Sequence, residues 1–71
     1  MTRRRFSPRA LRARRTQLGV SQKKLAQVLN VAPATVCDWE NGRKTPANHR
    51  LPDLATVLYC PMDDLFEAVA E

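Results

Sequence analysis

The most constraining feature is the spacing within "SQKKLAQVLNVAPATVCDWENG", residues 21–42. Two stretches with helical apolar spacing are separated by only "NVA", residues 30–32. In the first stretch, at about 22–29, Leu25, Val28 and Leu29 make an apolar face with Ala26 beside it. In the second, at about 33–41, Val36 and Trp39 are three apart and face inward. A connection this tight makes the two helices packed neighbours, the helix-turn-helix arrangement. Ala26 is small where the helices approach. Asn30 tolerates the left-handed conformation that such a turn needs. Val31, Val36 and Trp39 then lock the angle between the helices.

Three further helices are marked by their punctuation. The first, at about 8–18, has Ser7 as N-cap, Pro8 in the first helical position and Gly19 as a natural stop. Leu11 and Leu18 share one face. The fourth, at about 50–58, carries Leu51, Leu54, Ala55 and Leu58 in an i, i+3, i+4, i+7 pattern, and Pro52 restricts its start to about Arg50. The fifth, at about 62–69, follows Pro61, with Asp63 and Asp64 on the favourable side of the helix dipole and Leu65, Phe66 and Val69 apolar. No stretch alternates with period two, so no strand is expected. The expectation is all-α: a compact five-helix bundle over residues 7–71 with the helix-turn-helix at about 21–41, preceded by a flexible basic arm at 1–6.

A chain of 71 residues makes one small domain. It has no apolar run long enough to cross a membrane, and its basic start lacks the apolar stretch of a secretory signal, so the expected location is cytoplasmic. The charge is polarised. Residues 1–24 carry nine bases and no acid, whereas residues 63–71 carry Asp63, Asp64, Glu67 and Glu71 and no base. The net charge of +5 and basic front point to a polyanionic partner. Lys23 and Lys24 sit in the first turn of the second helix, where the dipole disfavours cations, a hint that an anion approaches that end.

Cys37 and Cys60 are too few for a disulfide framework. A zinc site needs about four ligands, and only His49 and carboxylates remain to complete one, so no metal and no cofactor are expected. Neither cysteine has a convincing base partner and there is no Gly-rich phosphate loop, so the expectation is a binding protein and not an enzyme.

The segments "LRARRTQLGVSQKKLAQVLNVAPATVCDWENGRKTP" and "LPDLATVLYCPMDDLF" resemble the Cro and phage-repressor type of helix-turn-helix regulators, the xenobiotic-response-element family. "GVSQKKLA", "TVCDWENGRKTP" and "MDDLF" all stand in register. The resemblance implies a lambda-repressor-like DNA-binding domain with its third helix in the major groove. Pro33, Ala34, Thr35 and Asp38 would face base edges. Gln22, Lys23, Asn41, Arg43 and Lys44 would contact phosphates. Arg15 and Glu40 would form a partly buried structural ion pair joining the first and third helices. Four positions depart from the pattern: Ala32 replaces a capping Ser or Thr, Asn30 a Gly, Arg14 a Leu, and Tyr59 a Gly.

The function expected is sequence-specific binding of double-stranded DNA by a transcriptional regulator, most simply a repressor at a short operator. A homodimer fits two half-sites, with Phe66 and Val69 as candidate contacts. Arg3, Arg4 and Arg5 are candidates for a minor-groove arm. Cys37 is expected to be exposed near the groove, Cys60 and Trp39 in the core, and His49 in solvent. Two alternatives stand beside this: a protein-interaction module of antitoxin or coactivator type, and a nonspecific architectural nucleic-acid binder.

Overall fold

The computed structural model describes residues 3–69, with Arg3 described in its backbone alone. The chain runs β1 (Arg3–Phe6), α1 (Pro8–Gln17), α2 (Gln22–Leu29), α3 (Pro33–Glu40), α4 (Leu51–Val57) and β2 (Phe66–Val69). Short 3-10 turns at Asn48–Arg50 and Met62–Leu65 lead into α4 and β2.

The first two helices start on the expected hydroxyl caps. Ser7 Oγ accepts from the Ala10 N–H at 3.1 Å, and Ser21 Oγ from the Lys24 N–H at 3.0 Å. Helix α3 starts after Ala32 with no side-chain cap. Pro33 at its first position has no N–H to satisfy, and the buried Val36 and Trp39 hold the helix in place.

All four helices end by one device. A residue in the left-handed region follows each: Gly19 at φ 69°, Asn30 at 58°, Gly42 at 76° and Tyr59 at 53°. The next N–H then reaches back five residues to a free carbonyl. These bonds run from Val20 to Arg15 (3.1 Å), Val31 to Ala26 (2.9 Å), Arg43 to Asp38 (2.9 Å) and Cys60 to Ala55 (3.1 Å).

Leu11, Leu25, Val36, Leu54, Leu58 and Leu65 are fully buried, so every helix and the second 3-10 turn feed one core. Trp39 lies in it, as its spacing predicts, and His49 is exposed. Cys60 packs against the core. Burial pushes its thiol up, Asp64 adds to this and Arg14 opposes it.

Two expectations are corrected. Among the described residues the structure has four α-helices, not five, and a two-stranded sheet where none was expected. The expected fifth helix lasts one 3-10 turn, and residues 66–69 are then extended as β2. Residues 3–6, expected as a flexible arm, are the antiparallel partner β1, in the register Arg3↔Val69, Arg4↔Ala68, Arg5↔Glu67 and Phe6↔Phe66. Met1, Thr2, Ala70 and Glu71 lie outside the described residues.

The cause is tertiary. Phe6 enters the core at 8% exposure and fixes the start of the chain. The Ser7 N–H donates to the Leu65 carbonyl at 2.7 Å. The sequence's charge polarity then closes the ribbon. Arg5 Nε donates to Glu67 Oε1 at 3.0 Å. Arg4 donates to Asp63 Oδ1 at 3.2 Å and to the Asp63 carbonyl at 3.0 Å. Arg4 also stands 5.6 Å from the Phe66 ring centroid, within cation–π range. Pairing with a distant strand overrides a local pattern that suits a helix.

Two of the sequence departures prove to be one feature. Arg14 Nε donates to the Leu58 carbonyl at 2.8 Å and Nη2 to the Tyr59 carbonyl at 2.9 Å. The guanidinium thus satisfies the free carbonyls at the end of α4, where Tyr59 takes a conformation that costs a side-chain-bearing residue about 1–2 kcal/mol. Tyr59 is 80% exposed, so a smaller residue there forfeits little burial. Tyr59→Gly is expected to raise unfolding stability by about 0.5–1 kcal/mol, the relief of strain less the added freedom of the unfolded chain. Arg14→Ala is expected to lower it by about 1.5–3 kcal/mol through lost charge-assisted hydrogen bonds. Urea titration of both variants measures the two values.

Candidate nucleic-acid interface

Helix α3 divides into two faces. Val36, Trp39 and Glu40 are buried, whereas Pro33 and Ala34 are exposed and Thr35, Cys37 and Asp38 are half-buried on the outer side. The outer face offers methyls, one hydroxyl, one thiol and one carboxylate, and no cation.

Its placement depends on Glu40. The Glu40 side chain is 2% exposed, and it meets Arg15 through two hydrogen bonds, from Nε to Oε2 at 2.5 Å and from Nη2 to Oε1 at 3.0 Å. Arg15 Nη1 also donates to the Val20 carbonyl at 2.8 Å. Gln22 Nε2 donates to Glu40 Oε1 at 3.0 Å. The end of α3, the last turn of α1 and the start of α2 therefore meet at one carboxylate. Burial alone would raise the Glu40 carboxyl; the hydrogen bonds from Arg15 and Gln22 and the charges of Arg15 and Arg12 outweigh it and hold the carboxyl below its ordinary value. The same contact raises Arg15.

The residues beyond α3 fold back onto it. The Arg43 and Lys44 N–H groups donate to the Asp38 carbonyl at 2.9 and 3.4 Å. Their side chains also approach the Asp38 carboxylate, Arg43 Nη1 at 3.5 Å and Lys44 Nζ at 3.8 Å. Both cations stay about two-thirds exposed. Asn41 Nδ2 donates to Cys37 Sγ at 3.2 Å. Cys37 is accordingly half-buried under Asn41, less open than the sequence implied.

A helix-turn-helix family model matches residues 11–65, which contain the whole of α2, α3 and their junction with α1. The chain belongs to the Cro/C1-type helix-turn-helix family. Among solved structures it is similar to the P22 c2 repressor, crystallised with a synthetic operator, at TM-score 0.78 and 28% identity over 86% of this chain and 92% of the repressor chain. It is also similar to the restriction-modification controller protein C.AhdI of Aeromonas hydrophila, at TM-score 0.76 and 29% identity over 82% of this chain and 88% of the controller. Hydroxypropylphosphonic acid epoxidase from S. wedmorenis matches at TM-score 0.79 and 31% identity, but this chain spans only 32% of the epoxidase. No curated protein matches the chain.

Within this family frame the sequence-assigned residues fall into four groups. Pro33, Ala34, Thr35 and Asp38 share the outer face of α3. Gln22 and Lys23 open α2 on one flank, and Asn41, Arg43 and Lys44 follow α3 on the other. Arg15 and Glu40 form the buried pair that the resemblance implies. The fourth group, Arg4 and Arg5, is held by acids in the β ribbon, and the Arg3 side chain lies outside the described residues.

Two structural residues escaped sequence reasoning. Arg14 is one. The other is Arg50, whose Nη1 donates to the Leu29 carbonyl at 2.8 Å and ties the start of α4 to the end of α2. The signal for Arg14 was present as a polar residue in an apolar row, paired with a Tyr at a Gly position. Nothing local marks Arg50. Among the described residues no group of three His, Cys, Asp or Glu is placed to hold a metal ion, and no helix is long and apolar enough to cross a membrane.

Because the folded Glu40 carboxyl lies below its ordinary value of 4.5, its contribution to stability is present at neutral pH and is lost as the pH falls from about that value through the folded one. Glu40→Gln is expected to flatten this acid limb in a pH series of unfolding midpoints. Glu40→Ala leaves Arg15 unpaired and is expected to cost about 3 kcal/mol at neutral pH.

Proposed function

We propose that the chain binds double-stranded DNA through the outer face of α3 and acts as a sequence-specific transcriptional regulator, repressing by occupying a short operator. The observation that carries this is the division of chemistry around α3: a reading face with no cation and one carboxylate, set between two cationic flanks. The likeness to a repressor crystallised on an operator supports the same docking.

The flanks supply the phosphate contacts. Gln22 gives one amide hydrogen to Glu40, which leaves the second for a phosphate and fixes its direction. Asn41 is placed alike by Cys37. Arg43, Lys44 and Lys23 are exposed cations. Such contacts set affinity and register and make binding fall steeply with salt. The face supplies discrimination. The Ala34 and Thr35 methyls suit thymine methyls, Thr35 Oγ donates or accepts, and Asp38 accepts from the N4 amine of cytosine. Asp38 repels phosphate, so it also penalises poorly docked sequences. The chain works here as a binding module and not as an enzyme.

Two half-sites about one helical turn apart call for a two-fold dimer. Phe66 and Val69 are half-buried in the ribbon, whereas Tyr59 and Met62 are exposed beside the end of α4. We propose the exposed Tyr59 and Met62, beside the candidates Phe66 and Val69, as the dimer contact.

Selection of bound duplexes from a random pool is expected to yield a palindromic site, bound at least about a thousandfold more tightly than random DNA at physiological salt. Thr35→Ala with Asp38→Ala is expected to collapse that ratio by about ten- to a hundredfold while leaving binding to random DNA within a few-fold. A ratio near one for the unaltered protein would falsify sequence-specific recognition. Sedimentation of the protein on the selected site is expected to show two chains per palindrome, and Tyr59→Ala with Met62→Ala to weaken that stoichiometry to one.

A further inference from the structure

The basic half of the chain does not present all its charge to a partner. Arg4 and Arg5 face Asp63 and Glu67, and Arg15 faces Glu40. Arg14 is spent on two carbonyls of the α4 end and Arg50 on the Leu29 carbonyl. Arg43 and Lys44 stand farther from Asp38, at 3.5 and 3.8 Å, than Arg4 and Arg5 do from their acids, and they stay about two-thirds exposed and open to a phosphate. Among the described residues, Arg9, Arg12, Lys23 and Lys24 are the bases with no hydrogen bond or ion pair from their side chains. Lys23 and Lys24 open α2. Arg9 and Arg12 belong to α1, and both are exposed.

Arg9 and Arg12 lie three apart on the solvent side of α1, where they line a shallow groove with Ala13, Thr16 and Gln17. Arg12 is one turn before Arg15, whose guanidinium meets the end of α3, and its own charge reaches Glu40. The first residue of α1 stands near the turn after α3: a Cβ added at Gly42 would lie 3.9 Å from Pro8 Cγ. The start of α1 therefore lies near the turn that leads to Arg43 and Lys44.

We propose that Arg9 and Arg12 form a second phosphate track on α1, which extends the contact with duplex DNA past the helix-turn-helix, and that Arg4 and Arg5 take no part in it. This rests on the DNA-binding reading above. A phosphate diester finds two adjacent guanidiniums there with no acid to displace, so contact releases counterions without breaking an internal ion pair. At Arg4 and Arg5 the phosphate competes with a carboxylate already in place. The track reads no bases and strengthens binding to every sequence alike.

The test measures affinity against salt concentration on the selected duplex and on random duplex DNA. It compares the unaltered protein, Arg9→Gln with Arg12→Gln, and Arg4→Gln with Arg5→Gln. The α1 variant is expected to lower the log–log salt slope by about 1.8 on both duplexes, at about 0.9 per lost phosphate contact, with the ratio of specific to random affinity unchanged. The ribbon variant is expected to leave the slope unchanged. An unaltered slope in the α1 variant, or an equal fall in the ribbon variant, overturns the track while leaving the operator reading intact. No binding of either duplex by the unaltered protein overturns both. Melting curves check that Arg9→Gln with Arg12→Gln leaves the fold unchanged, as the absence of side-chain hydrogen bonds at these residues predicts.

Discussion

The Glu40 carboxylate holds three helices in a fixed relation. Buried and nearly dry, it accepts from Arg15 on α1 and from Gln22 at the start of α2, while its own backbone ends α3. A charge in that position is tolerable only when its lone pairs are filled. The side chains that fill them belong to the two elements that must stand beside the reading helix. Hydrophobic packing of Leu25, Val36 and Trp39 brings α2 and α3 together. The directional bonds at Glu40 add to that packing a fixed relation to α1, and they orient the Gln22 amide in the same act.

The charge of the chain is sorted by the fold into structural and available portions. Guanidiniums on α1 alternate in duty along one helix. Arg14 turns toward α4, Arg15 toward α3, and Arg9 and Arg12 toward solvent. A helical period of 3.6 residues places neighbours in sequence on different faces, so a run that reads as one basic patch becomes three separate functions. The ribbon removes Arg4 and Arg5 by a different route, with the acidic end of the chain as their partner. Exposed ion pairs of that kind are individually weak. Phe6 in the core gives the ribbon its anchor.

Much of the helical part was legible because the signals are local. Ser7, Ser21, Gly19, Asn30 and Gly42 mark starts and stops through hydrogen-bonding groups and backbone freedom that act within a few residues. The apolar spacing of Leu25, Val36, Leu54 and Leu58 named core residues before any packing was known. The ribbon was not legible. "RRRF" and "FEAV" are four residues each, carry little period-two signal, and lie at opposite ends of the chain. The Arg14–Tyr59 device was visible only as two separate oddities, since 45 residues divide them. The reading face of α3 was legible as residue types; the engagement of Asp38 by Arg43 and Lys44, and of Asn41 by Cys37, was not.

The amino-acid sequence by itself determined four of the five helices expected from it, their limits to within about a residue, the tight α2–α3 junction and the family to which it belongs, because caps, breakers and helical periodicity act over one or two turns. The tertiary structure alone decided that residues 66–69 are strand, that the basic start is tied down, and which cations remain free. Those outcomes depend on meetings between residues far apart in the chain. A carboxylate at residue 63 or 67 acquires its meaning only when the fold brings Arg4 or Arg5 to it.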